Sequence, residues 1–92
     1  ELPTPATGVL GLLTDASTVT LTWTLPTGVN FSGQSIERCA GDGCESWVEI
    51  ATLGTTETEF IDGITPPAVF RYRVVATSII GQSESAPVTV VA

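Results

Sequence analysis

The sequence has no histidine, no lysine and no methionine, and these absences limit its chemistry. Without histidine there is no base that titrates near neutral pH, and without lysine there is no amine nucleophile. Serine and threonine are plentiful, but none has a partner for a catalytic triad. Two cysteines cannot complete a structural zinc site without histidine. We therefore expect a domain that is not an enzyme and that binds neither a metal nor a cofactor.

Positive charge is also scarce, because three arginines oppose ten acidic residues and the net charge is −7. This balance argues against nucleic acid or an anionic membrane as a partner. No apolar run is long enough to span a bilayer, so we expect no membrane insertion. No signal peptide is recognisable either, which is typical of a piece of a longer secreted protein.

The carboxylates offer the remaining chemistry, since a pair of them can hydrolyse a glycosidic bond. The candidates alternate along predicted strands, which places them on solvated outer faces rather than in a cleft: Glu37, Glu49, Glu57 and Glu59. Asp42 and Asp62 lie beside glycines but lack the repeated ligands of a calcium loop, so we interpret them as turn residues.

The residues that are present favour strands. Apolar side chains at 70, 72, 74 and 76 recur with period two, as the buried face of a strand requires. The same pattern places Val19, Leu21 and Trp23 on one face of an earlier strand, with threonines on the other. Seven strands and no helix are predicted, the third beginning near residue 31 and the others at residues 9–13, 18–24, 47–53, 57–60, 70–76 and 85–91.

The two cysteines flank a predicted turn. Cys39 and Cys44 are separated by a Gly/Asp tetrapeptide between strand-like residues. A disulfide that staples this hairpin is favoured over two free thiols, and it implies an oxidising compartment. Closing so short a loop should stabilise the fold by about 2 kcal/mol. We therefore expect a secreted, extracellular protein.

The register of this hairpin is ambiguous from the sequence. If Cys39 faced Cys44 in a regular ladder, Ile36 would lie opposite Trp47 and Trp47 would point inward. Apolar Val48 and Ile50 favour the opposite phase, and a bulge on either strand would reconcile the two patterns. Trp47 is therefore either a packed side chain or an exposed indole that could stack on a sugar ring.

Several motifs in order closely resemble a fibronectin type III domain over nearly the whole chain: Leu21-Thr22-Trp23, Phe31-Ser32-Gly33, Ile64-Thr65-Pro66, residues 70–76 and Gly81. The resemblance implies an all-β, seven-stranded antiparallel β-sandwich of immunoglobulin-like type, with a core position for Phe31. It places the domain at residues 8–92, after a Pro/Thr linker at residues 1–7.

Three features depart from the pattern of the family. Phe70 occupies the place of a tyrosine whose hydroxyl usually bonds to the preceding corner, and Pro67 replaces a common glycine. The cysteine hairpin is similar to those of secreted bacterial modular proteins, in which such domains accompany polysaccharide-degrading enzymes. The resemblance therefore implies that setting.

The resemblance also brings two loops to one pole, where Val29, Ile79 and Ile80 stand in place of smaller or polar residues. Exposed isoleucines are costly unless they are covered, so one expectation is a partner at this pole, and the alternative is that one isoleucine tucks under its loop. We predict a monomeric module that spaces and orients neighbouring domains. The alternative is a protein- or carbohydrate-binding module that acts through this pole or through Trp47.

Overall fold

The structure is a computed structural model that describes residues 2–92. The described residues form two antiparallel sheets that pack face to face, and they contain no helix. The strands are β1 (Thr7–Asp15), β2 (Thr18–Thr24), β3 (Gly33–Ala40), β4 (Val48–Leu53), β5 (Glu59–Gly63), β6 (Val69–Ser78), β7 (Gly81–Glu84) and β8 (Val88–Val91). One sheet has the order β1-β2-β5; the other has the order β4-β3-β6, with β7 and β8 both beside β6. The predicted all-β sandwich is confirmed.

The core lies between the sheets, where each strand turns one face inward. On β2 the side chains of Val19, Leu21 and Trp23 are buried, whereas the intervening threonines are half-exposed or exposed. On β6, Tyr72 and Val74 face them from the other sheet. The predicted phase of both strands is therefore confirmed, and the buried cluster contains Ala6, Val19, Leu21, Trp23, Ile36, Ile64, Tyr72, Val74 and Val90.

One hydrogen-bond network crosses this core. The indole Nε1 of Trp23 donates to Oε1 of Gln34 at 2.8 Å, and both side chains are buried. The amide of Gln34 donates in turn to the carbonyl oxygens of Gly54 and Glu57, at 3.0 and 2.9 Å. Because buried polar groups are costly when unpaired, this network fixes the loop between β4 and β5 against the core.

The predicted seventh strand, residues 85–91, begins later than predicted, at Val88, and a further strand, β7, lies in the predicted break before it. Strand pairing with β6 runs from Gly81 to Glu84 and resumes at Val88, and across the gap the amide of Ser85 still donates to the carbonyl oxygen of Val74 at 2.9 Å. Pro87 has no amide hydrogen to give to a ladder, so a break is expected beside it. Buried Ser85 keeps the gap connected, because its hydroxyl accepts from the amide of Val74 at 2.9 Å. The described chain therefore has eight strands rather than seven.

Other bounds also differ from the prediction. β3 begins at Gly33, and Phe31 is half-buried outside the core cluster, so the expected core position of Phe31 is wrong. β5 begins two residues later than predicted and continues to Gly63, so Asp62 lies in a strand and its interpretation as a turn residue is wrong. β1 is longer than predicted, but its expected character as an irregular edge strand is confirmed: it has one sheet neighbour and two register shifts.

The bulge in the cysteine hairpin lies on β4. Ile36 pairs with Ala51 while the next residue, Glu37, pairs with Glu49, so Ile50 is the extra residue. β4 starts at Val48, and Cys39 has its ladder partner on β6 rather than at Cys44. Of the two alternatives, the structure therefore has the bulge and not the regular ladder between Cys39 and Cys44.

The segment before β1 packs on the sandwich. Pro3 is buried, Ala6 belongs to the core cluster, and Thr4 and Thr27 exchange two backbone hydrogen bonds of 2.7 and 3.2 Å. The linker boundary at residue 7 stays a prediction, and residue 1 of that linker lies outside the described residues.

We expect Trp23→Ala to lower the free energy of unfolding by about 3–5 kcal/mol, because it removes a large buried side chain. Trp23→Phe should lower it by about 1–3 kcal/mol, since Oε1 of Gln34 then loses its donor. Urea unfolding followed by circular dichroism measures both changes. Trp47→Phe is the control, because Nε1 of Trp47 has no hydrogen-bond partner among the described residues and should cost less. Equal losses for Trp23→Phe and Trp47→Phe would contradict the role of the network.

Candidate functional site

The described residues hold no cluster that is typical of a metal site. Within residues 2–92, no three side chains among Asp, Glu, Cys and His are placed to hold a metal ion. Nor does this part of the chain contain a helix that could cross a membrane. The candidate functional residues lie on surfaces that a partner could contact.

The predicted loop pole forms at one end of the sandwich. Val29 is 102% exposed relative to the reference residue, Ile79 is 87% exposed and Ile80 is 49% exposed. The amide and hydroxyl of Ser32 both donate to the carbonyl oxygen of Thr77, which holds the two loops side by side. Ile80 is about half covered, so it offers less surface to a partner than Ile79 does.

The N-terminal segment belongs to the same pole. Gly81 lies so close to Leu2 that a Cβ atom on the glycine would be 2.8 Å from Cδ2 of the leucine. A Cβ atom on Gly28 would lie 3.1 Å from Cα of Pro3, and both glycines have φ values that disfavour other residues. Leu2 is half-exposed, so it adds a fourth aliphatic side chain to this surface. We call Leu2, Val29, Ile79 and Ile80 the apolar pole.

The opposite end of the molecule holds the C-terminal residues. Ala92 exchanges backbone hydrogen bonds with Ala68, just before β6 begins, whereas Gly81 and the apolar pole lie just after β6 ends. The ten residues of β6 separate these points by about 33 Å. The chain therefore runs from one end of the sandwich to the other.

Trp47 lies on the outer face of the five-stranded sheet, where it contacts two arginines of β6. The guanidinium carbon of Arg73 is 4.4 Å from the centroid of the indole ring, and that of Arg71 is 5.3 Å away. Cation–π contacts of this kind are worth about 0.5–1 kcal/mol or more. The indole is half-buried, which leaves less of the ring for a sugar than a free surface tryptophan would.

The disulfide holds the loop that carries Trp47. Cys39 is buried at the end of β3, and Cys44 is joined to it across a Cα–Cα distance of 5.8 Å, so neither cysteine is free. Nη1 of Arg71 donates to the carbonyl oxygen of Cys44. The disulfide and this hydrogen bond together fix residues 41–47 over β6.

Every arginine of the chain lies beside a carboxylate. Arg73 Nε donates to Glu37 at 2.7 Å, and this pair is half-buried. Arg71 lies 3.7 Å from Glu45, but that side chain is 81% exposed and contributes little. The third pair joins Arg38 to a carboxylate of the other sheet, so the remaining exposed charge of the described chain is negative.

That third pair is part of an inter-sheet cluster. Oδ2 of Asp62 accepts from Nη1 of Arg38 at 2.8 Å and from the hydroxyl of Tyr72 at 2.6 Å. Arg38 also lies over the ring of Phe70, with its guanidinium carbon 4.5 Å from the centroid. Burial raises the pKa of Tyr72 well above its ordinary value of 10.0, and the adjacent Asp62 adds to the shift.

Sequence reasoning missed two of these features. Leu2 and Pro3 looked like linker residues, and only the glycines at 28 and 81 hinted that backbone passes close by. The stack of Trp47 on Arg71 and Arg73 could have been found, because period two places both arginines on the outer face of β6.

The carboxylates that the sequence offered as candidates do not come together in a cleft. Asp42 lies exposed in the cysteine loop, and Glu49, Glu57 and Glu59 are exposed on the surface.

Comparison with known proteins gives a match only at the level of structure. No model of a known protein family matches the sequence, and no curated protein matches it. An Fn3-like protein from Clostridium thermocellum is similar with a TM-score of 0.78 and 25% identity over 97% of this chain and 92% of that one. The FN3 domain of human collagen XX is similar with a TM-score of 0.78 and 17% identity, over 99% of this chain and 92% of that one.

A titin fragment is similar with a TM-score of 0.79 and 25% identity, over 99% of this chain and 32% of that one. This chain therefore spans about a third of the titin fragment. Together the matches show the fold that the sequence motifs implied, which is the fold of fibronectin type III domains.

We expect the double substitution Cys39→Ala and Cys44→Ala to release the loop at residues 41–47. Hydrogen exchange at the indole nitrogen of Trp47, measured by NMR, should become faster, and the free energy of unfolding should fall by about 2 kcal/mol. The indole of Trp23, which is buried and hydrogen-bonded, is the internal control and should keep its protection. Unchanged exchange at Trp47 would show that the arginines alone hold it.

The raised pKa of Tyr72 predicts a loss of stability in alkali. A group whose pKa is raised by folding stabilises the native state below its ordinary pKa and loses that contribution as the pH rises further. Because the chain has one tyrosine, tyrosinate absorbance reports Tyr72 alone, and it should appear only above pH 10.0, together with unfolding. Asp62→Asn should move the transition to lower pH, and a wild-type transition at or below pH 10.0 would contradict the cluster.

Proposed function

We propose that this fibronectin type III fold is a non-catalytic accessory module that spaces and orients neighbouring domains of a secreted multidomain protein. The observation that carries the proposal is the placement of its two ends. The body measures 40 × 23 × 19 Å, and Leu2 and Ala92 lie at opposite ends of β6. A module of this shape holds whatever precedes it away from whatever follows it.

The proposal includes the setting that the sequence resemblance implies, a protein that degrades extracellular polysaccharides. The disulfide between Cys39 and Cys44 supports an oxidising compartment, because such bonds persist outside the cytosol. The similarity to an Fn3-like protein from Clostridium thermocellum supports a bacterial occurrence of the fold. The titin fragment supports its use as one unit of a longer chain.

In this proposal the apolar pole contacts the domain that precedes the module. Pro3 and Thr4 are packed on the pole, so a preceding domain would emerge directly beside Val29, Ile79 and Ile80. Burial of these side chains would favour one orientation of the two domains, since apolar area removed from water stabilises a contact. The rigid attachment of residues 2–6 would keep that orientation.

A second candidate function is recognition of a protein or a carbohydrate by the same surface. The complete exposure of Val29 favours it, because a large aliphatic side chain at a loop tip is typical of a contact surface. Trp47 stays a predicted contact for a sugar, although its ring already lies against Arg71 and Arg73.

We expect the double substitution Ile79→Ser and Ile80→Ser to free the module from its neighbour. In the parent protein, NMR relaxation of this module and the preceding domain should change from joint to independent tumbling. The melting temperature of the module should barely change, since both side chains are exposed. Val91→Ser is the matched control, because Val91 is an exposed aliphatic residue at the opposite end.

Three outcomes decide between the candidates. If the double variant tumbles independently of the preceding domain and Val91→Ser does not, the spacer is supported. Unchanged tumbling with loss of retention on an external protein or polysaccharide supports the binding module instead. If neither tumbling nor retention changes, the apolar pole has no part in either function and the proposed contact is overturned.

A further inference from the structure

The two sheets of the sandwich differ in width, and the smaller sheet leaves part of β4 uncovered. Gly11 of β1 lies against Val90 of β8, and Asp62 of β5 reaches Arg38 of β3. The sheet β1-β2-β5 therefore covers the other sheet from β8 to β3. β4 lies beyond β3, so its inner face extends past the edge of the smaller sheet.

This overhang leaves an apolar groove. A cavity of about 300 Å³ lies beside β4, and seven residues line it: Arg38, Ala40, Cys44, Ser46, Val48, Ile50 and Phe70. Val48 is 61% exposed although its neighbours Ile50 and Phe70 are partly buried against the core. None of the lining residues belongs to the β4–β5 loop, and Cys44 and Ser46 are among them, so the groove lies toward the disulfide end of β4.

The free edge of β5 is near this groove, because Arg38 lines the groove and bonds to Asp62 of β5. The amide of Trp23 bonds to Thr58, and the amide of Ile64 bonds to the carbonyl oxygen of Ser17, so the even-numbered residues of this strand turn their backbone groups toward β2. By the alternation of an antiparallel ladder, the amide and carbonyl groups of the odd-numbered residues point away from β2. Among the described residues, no strand lies on that side of β5 to bond these outward groups, which belong to Glu59, Ile61 and Gly63.

We propose that the β4–β5 seam, defined by this groove and the free edge of β5, binds an extended peptide segment of a partner protein as an added strand. The segment would pair with Glu59, Ile61 and Gly63 and place alternate apolar side chains over Val48 and Ile50. Only an extended backbone satisfies the row of free amide and carbonyl groups, which excludes a helix and a polysaccharide as the occupant. The smaller sheet would then gain a fourth strand that covers the overhang.

Charge specifies the other face of that segment. Glu59 is exposed beside the seam, and all three arginines of the chain already lie beside carboxylates. A segment with lysine or arginine at its outward positions therefore complements the surface, whereas a second copy of this chain brings a further charge of −7 and is repelled. The occupant is an extended segment of alternating apolar and basic residues.

The test is an NMR titration of the whole chain with a synthetic peptide of alternating valine and lysine. The amide signals of Glu59, Ile61 and Gly63 should shift on binding. Ile61→Pro should weaken binding at least about tenfold, because proline removes an outward amide and is tolerated on edge strands. Ile61→Ser is the matched control, since it keeps that amide and should bind within about twofold of the wild type.

A second variant keeps the test decisive if Ile61→Pro disturbs folding. Val48→Lys places a charge in the groove at an exposed position, so it should fold normally and lose binding at least about tenfold. A peptide with methyl groups on alternate backbone nitrogens should fail to bind to the wild type. Equal binding of the methylated peptide, shifts confined to the apolar pole, or absence of binding at millimolar peptide would each overturn the proposal.

Discussion

The architecture depends on the hydrogen bond between the indole of Trp23 and the side chain of Gln34, made inside the core. The donor comes from one sheet and the acceptor from the other, and the amide of Gln34 reaches on to Gly54 and Glu57. Because an unpaired buried amide is costly, the relative position of the sheets and the path of the β4–β5 loop are set together.

Regular alternation made much of this fold predictable. In β2 and β6, period two distinguishes the buried side chains from the exposed ones, so both faces and the sandwich could be predicted from the sequence. The bulge at Ile50 could not, because Trp47, Val48 and Ile50 are all apolar and support two phases equally. The position of β5 was also missed, since Asp62 resembles a turn residue until its partners in the other sheet are known.

The candidate surfaces were predictable to different degrees. Val29, Ile79 and Ile80 could be assigned to one pole because a family resemblance supplied the loop arrangement, while the part played by Leu2 depends on a close approach to Gly81. The groove along β4 was out of reach, because it results from the unequal width of two sheets. No pattern within a single strand reports what faces that strand across the core.

The opposite placement of the two ends has a mechanical consequence. β1 starts beside the apolar pole and β8 ends beside Ala68, so tension on residues 2 and 92 would pull each strand along its own length. The backbone hydrogen bonds of a strand loaded in this way bear the force together, whereas those of a strand peeled from its end break one after another. Such a module would transmit a pull between its two ends with little extension. The backbone hydrogen bonds between Thr4 and Thr27 would be the first to carry the load.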